Sequence, residues 1–110
     1  MVNESIKRYS IYLINLNPTI GSEIKKTRPC LILSPDEMNE NIDTVIIAPM
    51  TTKPHKYPTR IPITLNGKHG WVILDQIRAL DKRRIIKKVG QASASTVKQI
   101  QTVLNNMLCE

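Results

Sequence analysis

The sequence of 110 residues predicts a mainly β (α+β) fold, a small twisted barrel followed by a C-terminal α-helix, in one domain over residues 1–110. Short apolar runs and turn signals alternate at the roughly 8–12-residue spacing typical of small barrels. The last part of the chain has instead the spacing of one amphipathic helix. No helical crossover separates the apolar runs in the middle, which argues against a parallel βαβ sheet.

Two strands are predicted in the first third of the chain. Residues 10–16 are apolar nearly throughout, with β-branched and aromatic side chains, and they end at the turn signal Asn17-Pro18. Residues 19–27 contain glycine, serine and charged side chains and are predicted to form a loop. Residues 30–34 are a second apolar run, and the proline before them is compatible with the first position of a strand.

The middle of the chain begins with polar residues 35–43, which are predicted to form a short helical turn or a loop. Residues 44–48 are apolar and mostly β-branched, which predicts a third buried strand that Pro49 closes. Residues 50–57 are polar and are predicted to form another loop.

A hairpin and a last short strand are predicted in the second half. Apolar and polar residues alternate over residues 59–65, and Asn66-Gly67 is a strong signal for a two-residue hairpin turn. Residues 70–77 form the returning strand. Residues 89–92 are predicted to be a short final strand after a basic run.

The chain is predicted to close with a helix that Ser93 or Ser95 caps. Helical spacing places an apolar stripe on one face of it. This stripe consists of Val97, Ile100, Leu104, Met107 and Leu108.

Positive charge is concentrated in the middle of the chain. The sequence has 16 Lys and Arg against 9 Asp and Glu, a formal net charge of +7. Residues 1–43 have a net charge of −1 and residues 89–110 a net charge of zero, whereas residues 44–88 contain ten basic and two acidic residues, a net charge of +8. This field favours a polyanionic partner, nucleic acid or an acidic protein, although many small soluble proteins are moderately basic.

Composition disfavours several classes of protein. No apolar stretch approaches the roughly 20 residues of a membrane helix. Residues 1–8 have neither the apolar core nor the cleavage site of a signal peptide. Cys30 and Cys109 are too few and too far apart for a disulfide scaffold. We therefore expect a cytoplasmic protein in a reducing environment, with no membrane partner.

The sequence has no motif for a metal ion or a nucleotide phosphate. The two histidines and two cysteines form no CxxC, HxxxH or HExxH pair. The basic segment has two carboxylates, Asp75 and Asp81, too few for a two-metal nuclease. Since a glycine-rich phosphate loop is also missing from the sequence, we expect no metal and no cofactor.

Polar groups near strand ends are the candidates for metal-free chemistry. An arginine beside hydroxyl groups binds phosphate oxygens well, because its planar guanidinium donates two hydrogen bonds at once. RNA supplies its own nucleophile, the 2′-hydroxyl, so a cation and a hydroxyl aimed at the phosphate form a minimal catalytic set. These candidates also have structural explanations, as solvated surface charges or as threonines that form turns. Trp71 is interpreted as a core residue rather than a platform for base stacking. From the residues alone, a binding module is favoured over an enzyme. The candidates are Glu23, Lys25, Lys26, Thr27, Arg28, Thr51, Thr52, Lys53 and His55.

Three blocks of the sequence, taken in order, resemble the MazF/PemK family of toxin endoribonucleases. The first, NPTIGSEIKKTRPCLILSP at residues 17–35, matches a pattern that contains P-T-x-G-x-E and R-P. The second is PMTT at residues 49–52, and the third is DQIRALD at residues 75–81. The resemblance covers about residues 9–108, and three ordered blocks are far more specific than any one of them.

The resemblance implies a small SH3-like β-barrel with a C-terminal helix, the MazF/PemK/CcdB-like fold shared with a gyrase-poisoning toxin family. It implies a toxin of a type II toxin–antitoxin system that cleaves single-stranded RNA, usually mRNA, at short sequences without a metal ion. It also implies two protein partners. One is a second copy of the chain, in a homodimer that uses the C-terminal helix region, and the other is an acidic, MazE-like antitoxin that binds over the basic groove.

The catalytic residues of the family fall on positions that match its motifs. The resemblance assigns the catalytic arginine to Arg28, the catalytic threonine to Thr51 and a supporting glutamate to Glu23. A guanidinium is a poor base near neutral pH, so acid–base work by Arg28 is an open question, as is proton transfer by His55. The candidate RNA-binding residues are Lys25, Lys26, Thr52, Lys53, His55, Lys56, Gln76 and Arg78.

Other functions are compatible with the same residues. A catalytically silent barrel would bind RNA or an acidic protein without cleavage, and a gyrase inhibitor on the same fold would act by protein contact. A ribosomal or RNA-processing factor also fits the composition. The presence of both Arg28 and Thr51 favours the ribonuclease. The cleavage sequence is not implied, because the loop after Thr52 varies with the RNA recognised.

Overall fold

A computed structural model describes residues 5–23, 26–54 and 56–109 of the chain. Within these residues the elements are β1 (Ser10–Asn15), β2 (Thr27–Ile32), α1 (Asp36–Asn41), β3 (Thr44–Thr51), β4 (Arg60–Leu65), β5 (Lys68–Ile73), β6 (Arg78–Asp81), β7 (Ile85–Gln91) and α2 (Ala94–Leu108). Two 3-10 turns, Leu74–Gln76 and Lys82–Arg84, connect β5 to β6 and β6 to β7.

The strands form one antiparallel sheet in the order β4-β5-β3-β2-β1-β7. One edge of β3 pairs with β2, and the other pairs first with β6 and then with β5. The two ends of this order come together, since a Cβ placed on Gly90 of β7 would lie 2.5 Å from Leu65 Cδ1 of β4. The sheet therefore curls, and the predicted β fold with a C-terminal helix is confirmed.

Both faces of the sheet are buried, because alternate residues of a strand point to opposite sides. The first core includes Ile6, Tyr12, Ile14, Leu16, Cys30, Ile32, Val45, Ile47, Leu80 and Ile85. The second core includes Ile11, Leu31, Leu33, Ala48, Met50, Ile61, Ile63, Val72, Leu74 and Ile100. Aliphatic side chains supply most of this volume, as a sequence without phenylalanine requires.

Helix α2 covers the second core. Ser93 is its N-cap, and the Ser93 hydroxyl accepts a hydrogen bond from the backbone N–H of Thr96 at 3.3 Å. Ile100 is fully buried. Leu108, which the sequence places on the apolar face, is 69% exposed, because eight steps of about 100° put it roughly 80° around the helix from Ile100. Neither described helix combines the length and the apolarity needed to cross a membrane.

Strands β2 and β3 are both longer than predicted at the ends that matter for the site. β2 begins at Thr27 rather than residue 30, because all of its residues up to Leu31 pair with β1. β3 continues past Pro49 to Thr51. Pro49 falls between the ladder to β6 and the ladder to β5, so its missing N–H breaks no pair on that edge. Arg28 and Thr51 therefore lie on strands, where the sequence predicts loops.

The predicted strand over residues 70–77 is divided into β5 and a 3-10 turn, and β6, which the sequence does not predict, follows. Asp75 in the turn accepts hydrogen bonds from the hydroxyl of Thr59 at 2.8 Å and from the guanidinium of Arg60 at 3.3 and 3.4 Å. These bonds attach the turn to the start of β4. β7 begins at Ile85, four residues before its predicted start, because it pairs with β1 along the basic run.

Candidate active site

Strand pairing brings the candidate catalytic residues Arg28 and Thr51 together. β2 and β3 pair with Cys30 opposite Pro49, and the same register carried two residues further sets Arg28 opposite Thr51. Opposed residues of antiparallel strands point to the same face. Because Cys30 belongs to the first core, Arg28 and Thr51 leave the sheet on that face, just past the end of the core. Both residues are half-buried.

A cleft of about 280 Å³ lies over this pair. Strands β2 and β3 form one side of it, and the β4–β5 hairpin forms the other. Its described lining contains two cationic side chains, one hydroxyl on β3 and a second just after it, and one imidazole, so the cleft suits an anionic ligand. These five residues are Arg28, Thr51, Thr52, Lys68 and His69.

The wall opposite Arg28 depends on the hairpin turn. Asn66 (φ 51°) and Gly67 (φ 80°) adopt the left-handed backbone of a two-residue turn, as the sequence predicts. Across this hairpin Thr64 pairs with His69, and the hydroxyl of Thr64 lies 3.1 Å from His69 Nδ1. Sequence reasoning does not single out Lys68 or His69. The signal that identifies them is the register of β3 with β5, which a single sequence does not contain.

Thr51 is held by its neighbours on two sides. Its hydroxyl oxygen accepts a hydrogen bond from the backbone N–H of Lys53 at 3.2 Å, which fixes the oxygen and leaves the hydroxyl hydrogen to be donated into the cleft. On the other side Thr51 pairs with Trp71 of β5. A Cβ on Gly70 would lie 3.0 Å from the Thr51 carbonyl oxygen, so glycine permits the close approach of the two strands.

Arg78 lies on the same face as Arg28, since it pairs with Ile47 of the first core. Its guanidinium donates a hydrogen bond to the carbonyl oxygen of Leu16 at 3.3 Å. Burial raises the pKa of the Cys30 thiol to about 12, against the opposing influence of the Arg78 charge. Cys30 therefore stays a neutral thiol near pH 7 and is excluded as a nucleophile.

Glu23 and Lys26 lie on the loop between β1 and β2, and the structure does not bring them into the lining of the cleft. The Glu23 carboxylate accepts a hydrogen bond from the backbone N–H of Ile20 at 2.6 Å. The backbone N–H of Lys26 donates to Asn17 Oδ1 at 3.0 Å. Arg84 donates to the carbonyl oxygen of Asn17 and so secures the start of this loop.

The other predicted RNA-binding residues are distributed around the cleft. Lys53 and Lys56 are exposed on the segment after β3, and Gln76 is half-buried in the 3-10 turn before β6. Two predicted residues, Lys25 and His55, lie outside the described part of the chain. Within the described part, no three His, Cys, Asp or Glu side chains are close enough to hold a metal ion together.

Both acidic residues of the basic segment are paired with arginines. Partial burial of the Asp75 carboxyl raises its pKa, but hydrogen bonds from Arg60 and Thr59 outweigh this, and the pKa of Asp75 lies below its usual range. Hydrogen bonds from the side chain and backbone of Arg83 lower the pKa of Asp81. The ion-pair distances are 3.3 Å for Arg60–Asp75 and 3.1 Å for Arg83–Asp81. Arg60 and Arg83 therefore have structural partners within the chain.

Comparison with known proteins agrees with this architecture. Residues 7–108 match the model of the family described as the PemK-like, MazF-like toxin of type II toxin–antitoxin systems. The structure is similar to MazF from Deinococcus radiodurans, with 25% identity, a TM-score of 0.87 and coverage of 98% of this chain and 100% of that one. It is also similar to an endoribonuclease from a mycobacterial species (24% identity, TM-score 0.79, coverage 96% and 92%). A mycobacterial endoribonuclease in complex with its cognate antitoxin matches as well (24%, 0.79, 94% and 94%).

The curled sheet with a C-terminal helix defines a small β-barrel protein with the architecture of the MazF structure. The family match extends over nearly all of the chain, from residue 7 to residue 108. The chain belongs to the PemK-like, MazF-like toxin family of type II toxin–antitoxin systems. The resemblance inferred from the three sequence blocks is thereby confirmed.

Proposed function

We propose that this protein is a sequence-specific endoribonuclease that cleaves single-stranded RNA without a metal ion and acts as the toxin of a toxin–antitoxin pair. The observation that carries the proposal is the cleft that Arg28 and Thr51 line together with Lys68 and His69. Two similar structures are described as endoribonucleases, which supports RNA as the substrate.

The proposed reaction uses a nucleophile that the RNA itself provides. The 2′-hydroxyl oxygen attacks the neighbouring phosphorus, the bond to the 5′ oxygen breaks, and the products are a 2′,3′-cyclic phosphate and a 5′-hydroxyl end. Negative charge increases on the non-bridging phosphate oxygens as the new bond forms. The protein has to stabilise that charge, one proton has to leave the 2′-hydroxyl, and another has to reach the 5′ oxygen.

Arg28 and Thr51 are proposed to stabilise the phosphate. The guanidinium of Arg28 donates two parallel hydrogen bonds to its oxygens. The hydroxyl of Thr51, oriented by the N–H of Lys53, donates a third. Loss of one such donor typically lowers kcat by about 100- to 1,000-fold. Glu23 is proposed to support this site indirectly, since its bond to Ile20 shapes the loop that precedes β2.

The predicted RNA-binding residues are proposed to hold the strand on either side of the cleft. Lysine contacts with phosphates position the RNA and make its affinity fall with salt, whereas unstacked bases provide specificity. These residues are Lys25, Lys26, Thr52, Lys53, His55, Lys56, Gln76 and Arg78.

Two protein partners are proposed. The first is an acidic antitoxin, supported by the net charge of +8 over residues 44–88 and by the complex of a similar endoribonuclease with its antitoxin. An acidic extended segment and RNA would compete for one basic surface. The second is another copy of this chain, in a homodimer formed through the region of α2, where Leu108 exposes a large apolar side chain.

The test is cleavage of a long single-stranded RNA by the purified protein in EDTA, with the cut ends mapped. Wild type should give discrete cuts with 5′-hydroxyl ends. Arg28→Ala and Thr51→Ala should each cut at least about 100-fold more slowly. Arg83→Ala is a matched control, because Arg83 is exposed, ion-paired with Asp81 and not part of the cleft lining. It should cut at the wild-type rate.

The alternatives give different results in the same experiment. Full activity in Arg28→Ala would refute the site. RNA binding without cuts in wild type would identify a silent binding barrel, and neither binding nor cuts would lead to a gyrase inhibition assay. The shared surface is tested by adding an acidic antitoxin, which should slow cleavage. Tight binding of the antitoxin at an unchanged cleavage rate would rule that sharing out.

A further inference from the structure

The reaction proposed above needs a group that takes the proton from the 2′-hydroxyl. Arginine and lysine are protonated donors at neutral pH, and hydroxyl and amide groups are far weaker bases than imidazole. The polar side chains in the described lining of the cleft are Arg28, Thr51, Thr52, Asn66, Lys68 and His69. Resting on the proposed function, we propose that His69 is the general base, with Nε2 as the atom that accepts the 2′ proton.

Strand register places His69 on the face of the site. Thr51 pairs with Trp71 of β5, so these two side chains leave the sheet on the same side. His69 lies two residues before Trp71 and therefore shares this side. The register of β2 with β3 places the side chain of Arg28 on this side as well. The phosphate ligands and the imidazole thus meet in one cleft although they come from three strands.

A hydrogen bond orients the imidazole ring. His69 Nδ1 lies 3.1 Å from Oγ1 of Thr64, its cross-strand partner on β4. When Nδ1 carries the ring proton and donates it to Thr64, Nε2 keeps a lone pair and is able to act as a base. This is the arrangement in which a third group sets the tautomer of a catalytic histidine.

His69 also lines a second, neighbouring cavity. This cavity of about 620 Å³ lies near the start of α2 and shares His69 and Gly70 with the cleft. Trp71 and Thr96 also line that cavity. An RNA strand that occupied both cavities would pass His69, with a backbone linkage within reach of the imidazole.

The proposed proton transfer accounts for every atom. The O–H bond of the 2′-hydroxyl breaks as the bond between its oxygen and phosphorus forms, and the proton moves to Nε2 of His69. The bond between phosphorus and the 5′ oxygen breaks, and that oxygen takes a proton from solvent. His69 returns its own proton to water before the next turnover.

The test is the pH dependence of kcat/KM on a short RNA with one cleavage site, measured in EDTA. In wild type, kcat/KM should rise about tenfold per pH unit on the acid side and then level off. In His69→Asn it should be lower by about 100- to 10,000-fold and should lose this acid limb. Free imidazole should restore part of the activity of His69→Ala. Thr64→Val should cut more slowly but keep the acid limb, because the ring is still present and only its orientation is lost.

Binding of a 2′-O-methyl RNA, which has no free 2′-hydroxyl, separates catalysis from recognition. Its affinity for His69→Asn should equal that for wild type. If His69→Asn binds this RNA more weakly than wild type and keeps the wild-type pH profile of kcat/KM, His69 is a binding residue and the inference is overturned. If wild type cleaves RNA and His69→Asn has the same rate and pH profile, the role of His69 is refuted but the proposed ribonuclease function is not. Absence of cleavage by wild type would refute the proposed function itself.

Discussion

Replacement of Gly70 by alanine tests how tightly β5 fixes the position of Thr51. The new Cβ would lie 3.0 Å from the Thr51 carbonyl oxygen, whereas ordinary contact begins at 3.4 Å, so β3 and β5 must separate by about 0.4 Å there. A misplacement of 1 Å costs on the order of 100-fold in rate. If the free-energy cost is proportional to the displacement, a shift of 0.4 Å lowers kcat about sixfold, which is ~1 kcal/mol of transition-state stabilisation.

The effect of Gly70→Ala on folding should be small, because two contributions oppose each other. Alanine restricts the unfolded chain and so stabilises the fold by about 0.4–1 kcal/mol, while overpacking against Thr51 costs about 1–3 kcal/mol. Unfolding in urea should therefore show a loss of about 1 kcal/mol. The assay is kcat on a single-site RNA at saturating substrate, well below the melting temperature. A folded Gly70→Ala protein with the wild-type kcat would refute the link between this strand spacing and catalysis.

Burial and charge predict the behaviour of other positions. Ile100→Ala should lower the free energy of unfolding in urea by about 3 kcal/mol, because the side chain of Ile100 is fully buried between α2 and the second core. The pKa of Asp75 is lowered in the folded protein, although partial burial of its carboxyl opposes this. The ionised carboxylate therefore stabilises the fold at pH values above the usual aspartate pKa, and this stabilisation is lost as the pH falls through the lowered pKa. Asp75→Asn should therefore flatten the decline in the free energy of unfolding between about pH 5 and pH 2. A thiol reagent at about pH 8 should titrate the exposed Cys109 in the native protein and Cys30 only after unfolding, because burial raises the Cys30 pKa to about 12; equal reaction of both thiols would contradict a buried Cys30.

Local patterns predict most of the fold but not the pairing of its strands. Apolar alternation, the Asn66-Gly67 turn and the cap at Ser93 identify the hairpin and the closing helix from neighbouring residues alone. Strand β6 is short and charged, and it is a strand because it pairs with one edge of β3. Pro49 has the sequence signature of a strand end, yet the strand continues past it because the change of partner occurs at that point.

In the candidate site, too, some residues are identified by the sequence around them and others only by the pairing of distant strands. Arg28 and Thr51 follow from the family blocks, whereas the residues alone favour a binding module. Lys68 and His69 match no block and lie far along the chain from Arg28. They join the cleft through the pairing of β5 with β3, and that pairing is a property of the folded sheet. The sequence therefore identifies the side of the cleft that β2 and β3 form, but not the side that the β4–β5 hairpin forms.

The four arginines of residues 44–88 all hold other parts of the chain. Two ion-pair with aspartates, and two donate to backbone carbonyl oxygens just after β1. The same segment contains six lysines, five of them exposed. Within this segment the arginines therefore support the barrel, while most of the lysines stay free in solvent to meet a polyanion. Acetylation, which neutralises lysines and spares arginines, would weaken RNA affinity and reduce its dependence on salt while leaving the melting temperature almost unchanged.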